Sequence, residues 1–180
     1  RRTLDDAGID ASEVGVVHVG NAFGQLYTGQ GHLGAMPASM IPELWDVPAS
    51  RHEGACASGS LAILAAMADL ESGRYDCALV LGVELEKTVP GDVGTNYMSP
   101  AAWVGREGQD AKFMWPYMFD RIAAAYTSRS GLDPAHLWAI SELNIRNARS
   151  NPRAQTRTRS YSPESFTADD TANPLVEGSL

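Results

Sequence analysis

Short apolar runs and one helical pattern alternate through the first half of the chain. Residues 14–20 (VGVVHVG) and 76–84 (DCALVLGVE) are runs of the kind found in strands that are buried on both faces. Between them, residues 60–72 repeat leucine and alanine at helical spacing, and Gly73 follows as a stop signal. A strand, a helix and a second strand in this order predict a parallel pair joined by a crossover. The pattern therefore predicts an α/β fold with a mostly parallel sheet covered by helices.

The second half of the chain has a different pattern of residues. Residues 89–106 contain several prolines and glycines, which predict a segment without regular structure. Residues 113–129 carry apolar side chains at helical spacing, and Asp133-Pro134 is typical of a cap and first residue of another helix, which should reach about residue 149. From residue 151 onward the chain is polar and is expected to be irregular.

The two ends of the chain suggest a piece of a longer protein. Residues 1–8 resemble the last turns of a helix that ends at a glycine, and a domain rarely starts there. The final residues, 172–180, stop as if a strand were about to begin. We expect further sequence on both sides.

Composition excludes several classes of function. The 180 residues carry a net charge of −8, and no block of lysine and arginine has the character of a nucleic-acid footprint. No apolar run approaches the roughly 18 residues of a membrane span. The two cysteines form neither a disulfide framework nor a metal-binding CxxC pattern, so a cytoplasmic location without a metal is expected.

The stretch 51–60 (RHEGACASGS) carries the strongest chemical signal. Cys56 lies among small residues in a turn between a predicted short strand and the predicted helix at 60–72. Such a turn lies at the edge of an α/β sheet where ligands bind, and the start of a helix favours a thiolate. The alternative is a buried cysteine in a closely packed helix start, and the pattern alone favours neither. Cys77, in the middle of a predicted strand, is interpreted as a core residue.

Several segments together resemble the thiolase superfamily. Residues 53–62, Ala65-Ala66 and residues 72–84 resemble its nucleophile segment, in which a cysteine in a small-residue turn precedes a helix and a strand that ends in Gly-x-Glu. Residues 20–25 resemble the second strand of the family and the loop that follows it. Residues 144–155 resemble the loop domain of the branch of archaeal or bacterial acetyl-CoA acetyltransferases and sterol-carrier-protein-2-type thiolases. Asn173-Pro174-Leu175 resembles the lead-in to the next strand of the family.

The resemblance implies a fold, a reaction and a set of partners. It implies an incomplete N-terminal half of a thiolase-like fold, with a core at 1–87, an inserted loop domain at 88–165 and a lead-in to missing elements at 166–180. Cys56 would be the catalytic nucleophile that accepts an acyl group from acyl-CoA, and Met114 and Trp115 would lie near the acyl pocket. Coenzyme A would enter as part of the substrate, no separate cofactor or metal would be needed, and a role in lipid metabolism follows. A homodimer or dimer of dimers is expected, with an OB-fold, zinc-ribbon protein as a possible further partner.

The catalytic base of the family is missing from this chain. Thiolases use a histidine in a Gly-His-Pro turn and a second cysteine in a Cys-x-Gly turn, and neither pattern occurs here. His52, four residues before Cys56, is a weak substitute because a strand residue before the turn should point along the sheet. We therefore expect that a C-terminal half supplies the base, and that the 180 residues alone fold poorly and are inactive.

Two other functions stay open at this point. A ketoacyl synthase or related condensing enzyme has a similar cysteine turn and would use an acyl carrier in place of free CoA. A thiolase-like subunit without ordinary catalysis, or a retro-aldolase of the same fold, would work with the OB-fold, zinc-ribbon partner.

Overall fold

The computed structural model of the chain describes residues 1–108, 111 and 113–162. The chain forms two compact units, of which the first is Arg1–Ala101 and the second begins at Ala102. Within the described residues, no helix has the length and apolar character that a membrane crossing requires.

A three-stranded parallel sheet forms the centre of the first unit. Its strands are β1 (Val16–Gly20), β2 (Ala49–His52) and β3 (Ala78–Gly82), in the spatial order β2-β1-β3. Gly20 lies opposite both His52 and Gly82, so the carboxyl ends of the three strands coincide at one edge. The predicted parallel α/β sheet is confirmed.

The apolar core covers one face of this sheet. Val17 and Val19 of β1 and Leu79 of β3 pack there against helices and turns that precede or connect the strands. The remaining buried members of this cluster are Leu4, Val14, Ile41 and Leu44. Cys77 packs at its margin, in agreement with its interpretation as a core residue.

Helix α4 (Ser58–Glu71) covers the opposite face and packs on β1 and β3. Its buried residues are Ser58, Ala62 and Ala66, which repeat every four positions and are all small. Small side chains let the helix backbone lie close to the sheet, because a larger residue would need space that the strands occupy. The helix begins two residues earlier than the sequence predicts.

Short helices and turns complete the first unit. An αL glycine, Gly8, ends the first of them as predicted, and Asp10 forms a capping box with Glu13 at the turn that follows. The helices are α1 (Arg2–Ala7), α2 (Gly24–Thr28), α3 (Met36–Met40) and α5 (Gly91–Met98).

Helix α5 corrects a prediction, because it lies in the segment at 89–106 that was expected to be irregular. Tyr27 of α2 explains the difference: its hydroxyl donates to the carbonyl oxygen of Gly94 at 2.8 Å, and its ring meets Tyr97 edge-on. An added Cβ at Gly94 would lie 3.2 Å from that hydroxyl. A side chain at position 94 would thus crowd this hydroxyl, so packing favours glycine here although its helix propensity is poor.

The second unit contains two long helices, α6 (Met114–Ser130) and α7 (Pro134–Ser150). Gly131 ends α6 with a positive φ of 64°, and the Asp133 carboxylate accepts from the Ala135 N–H to cap α7. Both predicted helices agree with the structure. The units divide after Ala101, whereas the predicted core ends at 87. The loop domain at 88–165 stays a prediction, and the segment 166–180, with Asn173-Pro174-Leu175, lies outside the described residues.

Candidate active site

Cys56 lies in the centre of a 3₁₀ turn, Ala55–Ala57, at the edge where the strands end. The turn follows β2 after two residues and leads directly into α4. The thiol is free and the residue is exposed. The structure therefore does not support the alternative of a cysteine buried in a packed helix start.

Ser58 and Glu53 hold this turn in place. The Ser58 hydroxyl accepts from the Gly54 N–H at 3.1 Å and donates to the Ala55 carbonyl at 2.7 Å. The Glu53 carboxylate accepts from the Ala55 N–H at 2.6 Å. Ala55 itself has a φ of 49°, a left-handed conformation that side chains other than glycine rarely adopt. Backbone strain of this kind is often found where a reactive group is presented, because the surroundings must enforce it.

A glycine contact brings the start of α4 onto the end of β1. A Cβ at Gly20 would lie 2.7 Å from the Gly59 Cα and 2.9 Å from the Ser58 carbonyl oxygen, and both are backbone atoms that cannot easily move. Only glycine at position 20 allows this approach. The contact fixes where the Cys56 turn lies relative to the sheet.

The loop after β1 is held at the same edge from both sides. The Glu84 carboxylate accepts from the Ala22 N–H at 2.7 Å and the Phe23 N–H at 3.1 Å, and it also accepts from the Asn21 side chain. From β2, the Arg51 guanidinium donates to the carbonyl oxygens of Asn21 and Ala22. The sequence predicted Glu84 only as the glutamate of the Gly-x-Glu pattern and did not single out Arg51. The glycine that ends β1 and the Gly-x-Glu pattern that ends β3 were the sequence signals from which a contact between these two strand ends could have been predicted.

Two histidines meet beneath α4. His18 of β1 is buried, and its Nδ1 lies 2.9 Å from Nε2 of His52, the last residue of β2. The Nε2 of His18 lies 3.1 Å from the Asp69 carboxylate of α4, and Ser50 Oγ lies 2.9 Å from His52 Nε2. Burial and the neighbouring His18 ring hold the pKa of His52 below its ordinary value. The sequence identified His18 only as a strand residue, and the His52 ring is engaged here rather than with the cysteine.

The other predicted site residues, Met114 and Trp115, lie in the second unit. Met114 is buried at the first position of α6, and the Trp115 ring lies 6.4 Å from the ring of Phe119. The two residues are consecutive in the sequence, and their role in an acyl pocket stays a prediction. In the part of the chain that the structure describes, no group of three or more histidine, cysteine and acidic side chains is arranged to hold a metal ion.

The comparisons with known proteins all relate this chain to the same family. The sequence model for the thiolase N-terminal domain matches residues 1–136. The chain is 31% identical over 178 residues to an acetyl-CoA acetyltransferase of Methanocaldococcus jannaschii, covering 97% of this chain and 43% of that protein. It is 27% identical over 173 residues to an acetyl-CoA acetyltransferase of Methanothermobacter thermautotrophicus, covering 96% and 44%.

A more distant relative is bovine sterol carrier protein 2, 26% identical over 163 residues, with 86% of this chain and 29% of that protein covered. The chain spans less than half the length of these curated relatives. The family match covers most of the chain and includes the Cys56 turn, the sheet and α4. The chain belongs to the thiolase family and corresponds to its N-terminal domain.

Proposed function

We propose that this chain supplies the nucleophile of a thiolase-type acyl-CoA C-acyltransferase, with Cys56 as the residue that carries the acyl group. The observation that supports the proposal most is the exposed thiol at the centre of a 3₁₀ turn that leads into α4, in a chain of the thiolase family. Two relatives that match nearly the whole chain are named acetyl-CoA acetyltransferases.

The proposed first step transfers the acyl group to the enzyme. The Cys56 thiolate attacks the thioester carbonyl of acyl-CoA, a new carbon–sulfur bond forms, and CoA leaves as a thiolate that takes up a proton. In the second step, a base removes a proton from the α-carbon of another acyl-CoA. The resulting carbanion attacks the carbonyl of the acyl-enzyme in a Claisen condensation, a carbon–carbon bond forms, and the bond to Cys56 breaks with the thiolate as leaving group. In the reverse direction, CoA cleaves a 3-ketoacyl-CoA by thiolysis.

The turn offers two features that suit this chemistry. The small residues Gly54, Ala55 and Ala57 beside the thiol leave room for an approaching thioester. In the proposal, the backbone N–H of Cys56 contributes to an oxyanion hole for the tetrahedral intermediate. The base that activates Cys56 comes from sequence outside this chain, and Met114 and Trp115 help shape the acyl pocket.

Intact-mass spectrometry of the purified protein with acetyl-CoA tests the first step. We expect a gain of one acetyl group in the wild type, none in Cys56→Ala, and an unchanged gain in the matched control Cys77→Ala. An adduct that survives in Cys56→Ala would contradict the assignment. The chain tested should include any sequence that follows Leu180, because the proposed base lies there.

The same experiment separates the alternatives. Acylation from an acyl carrier and none from acetyl-CoA would point to a ketoacyl-synthase-type enzyme, although the family match favours the thiolase branch. A folded full-length protein that forms no adduct with either donor would point to a thiolase-like subunit without ordinary catalysis, or to a retro-aldolase.

We further propose a cytoplasmic homodimer or dimer of dimers, with an OB-fold, zinc-ribbon protein as a further partner. Within the described residues, β2 and β3 are the outer strands of the sheet, and an outer strand can pair with another chain. Sedimentation of the purified protein tests the assembly, and a monomer at all concentrations would contradict it.

A further inference from the structure

The two histidines beneath α4 are joined in a way that limits how many protons they can hold. His18 Nδ1 and His52 Nε2 are 2.9 Å apart, so one proton must lie between the two nitrogens. The other nitrogen of His18 faces the Asp69 carboxylate at 3.1 Å and therefore carries a proton as donor. The pair can be neutral or singly charged in this geometry. A second positive charge would place two N–H groups against each other.

The cluster is enclosed on most sides. His18 is 4% exposed, and the side chain of Asp69 is 28% exposed. Ser50, opposite His18 in the register, contacts both rings through its hydroxyl, at 3.3 Å and 2.9 Å. Ser50 is exposed and His52 is half-buried, so protons can reach the pair from solvent.

The charged groups that face the pair come from one element only. Helix α4 contributes Asp69, whereas β3 places Val80 opposite His18 and contains no titratable side chain. The 3₁₀ turn Leu33–Ala35, which packs on β2, also contains none. Asp69 is thus the group that stabilises the first positive charge, and among the described contacts nothing comparable stabilises a second.

The pair is also connected to the turn that carries Cys56. His52 is the last residue of β2, and its carbonyl oxygen accepts from the Asn21 N–H at 3.1 Å. Glu53 and Gly54 follow, and Gly54 O accepts from the Ala57 N–H within the turn. Loss of the contact between the rings would free the end of β2 immediately before the nucleophile.

We propose that His18 and His52, anchored on Asp69, form a pH-sensitive clamp that positions the Cys56 turn. The clamp is closed while the pair holds at most one positive charge and opens when both rings are protonated. His18 and His52 are positioning residues in this account. The clamp would hold the backbone of the Cys56 turn in place whether or not Cys56 accepts an acyl group.

The direction in which pH changes the stability of the fold follows from the burial of His52 beside His18. Because His52 has a lowered pKa in the folded state, the unfolded chain binds more protons once the pH falls below the ordinary value of 6.5. Stability is therefore complete above that pH and decreases as the pH falls toward the folded-state pKa. The unfolding equilibrium constant should rise about tenfold for each pH unit between the two pKa values.

Amide hydrogen exchange by NMR, corrected for intrinsic rates, tests the clamp on the full-length protein between about pH 5 and pH 7.5. We expect the protection of the Asn21 and Ala57 N–H groups to fall on acidification in the wild type. His52→Gln should remove this dependence, while the control His136→Gln, on exposed α7, should behave as the wild type. Constant protection in the wild type, or an unchanged loss in His52→Gln, would overturn the proposal.

Asp69→Asn provides a second variant in case His52→Gln does not fold. Without the carboxylate no negative charge faces His18, so urea unfolding should show a larger loss of stability on acidification from pH 7.5 to pH 5 than in the wild type. A loss of the same size as in the wild type would count against the proposal.

Discussion

Ser58 is the residue whose loss should most directly disturb the candidate nucleophile. Ser58→Ala removes the hydroxyl that bonds both Gly54 N and Ala55 O, and Ser58 is buried. We expect a loss of about 1–3 kcal/mol in the free energy of unfolding, measured by urea titration, because two backbone groups lose a partner.

A matched control for Ser58 lies two positions further along the helix. Ser60 is exposed, and Ser60→Ala should change the free energy of unfolding by less than about 0.5 kcal/mol. Equal effects of the two substitutions would show that the hydrogen bonds of Ser58 do not hold the turn.

Gly20 and Gly82 give a second matched pair, because they lie opposite each other in the sheet. Gly20→Ala would place a methyl group 2.7 Å from the Gly59 Cα, whereas a Cβ at Gly82 meets no atom within 4 Å. We expect Gly20→Ala to destabilise the fold by about 1–3 kcal/mol or more and Gly82→Ala to have little effect on the melting temperature. Similar melting temperatures for the two variants would contradict the close approach of α4.

At the scale of elements, α4 differs from an ordinary surface helix. Its buried side consists of Ser58, Ala62 and Ala66, whereas large apolar residues on its other sides are exposed. The exposed ones are Leu61, Ile63, Leu64, Met67 and Leu70. A helix that is apolar all round is usually covered on all sides in a complete protein.

Substitutions on the two sides of α4 test this orientation. Ala62 is 0% exposed, so Ala62→Leu should cost about 1–3 kcal/mol by overpacking against the sheet. Leu64 is 58% exposed, so Leu64→Ala should lower the free energy of unfolding by less than Ala62→Leu does. Urea titration distinguishes the two, and a larger cost for Leu64→Ala would mean that α4 is rotated.

At the scale of the whole molecule, the buried residues are unevenly distributed. Among the described residues, the buried apolar side chains lie in the first unit, except for Met114. Helix α7 has no buried residue. Because most helical stability in proteins comes from tertiary packing, the second unit should be the less stable of the two.

Hydrogen exchange measures this difference directly. We expect the backbone amides of β1 to exchange far more slowly than those of α7, since β1 is buried along its whole length. Amides in α7 that exchange as slowly as those of β1 would contradict the expectation.

The sequence by itself determined the elements whose signals are local. The apolar runs specified β1 and β3, helical spacing specified α4 and α6, and Asp133-Pro134 specified the start of α7. The small residues around Cys56 indicated a candidate nucleophile, and several segments together indicated the family. These features depend on neighbours in the chain, so a pattern of residues records them.

The tertiary structure alone decided what depends on residues far apart in the chain. It placed β1 between β2 and β3, and it stabilised α5 through Tyr27 despite unfavourable glycines. It also brought His18 into contact with His52 and with Asp69, across 34 and 51 positions. Sequence spacing cannot predict such contacts, because they arise only when the sheet register and the packing of α4 bring distant residues together.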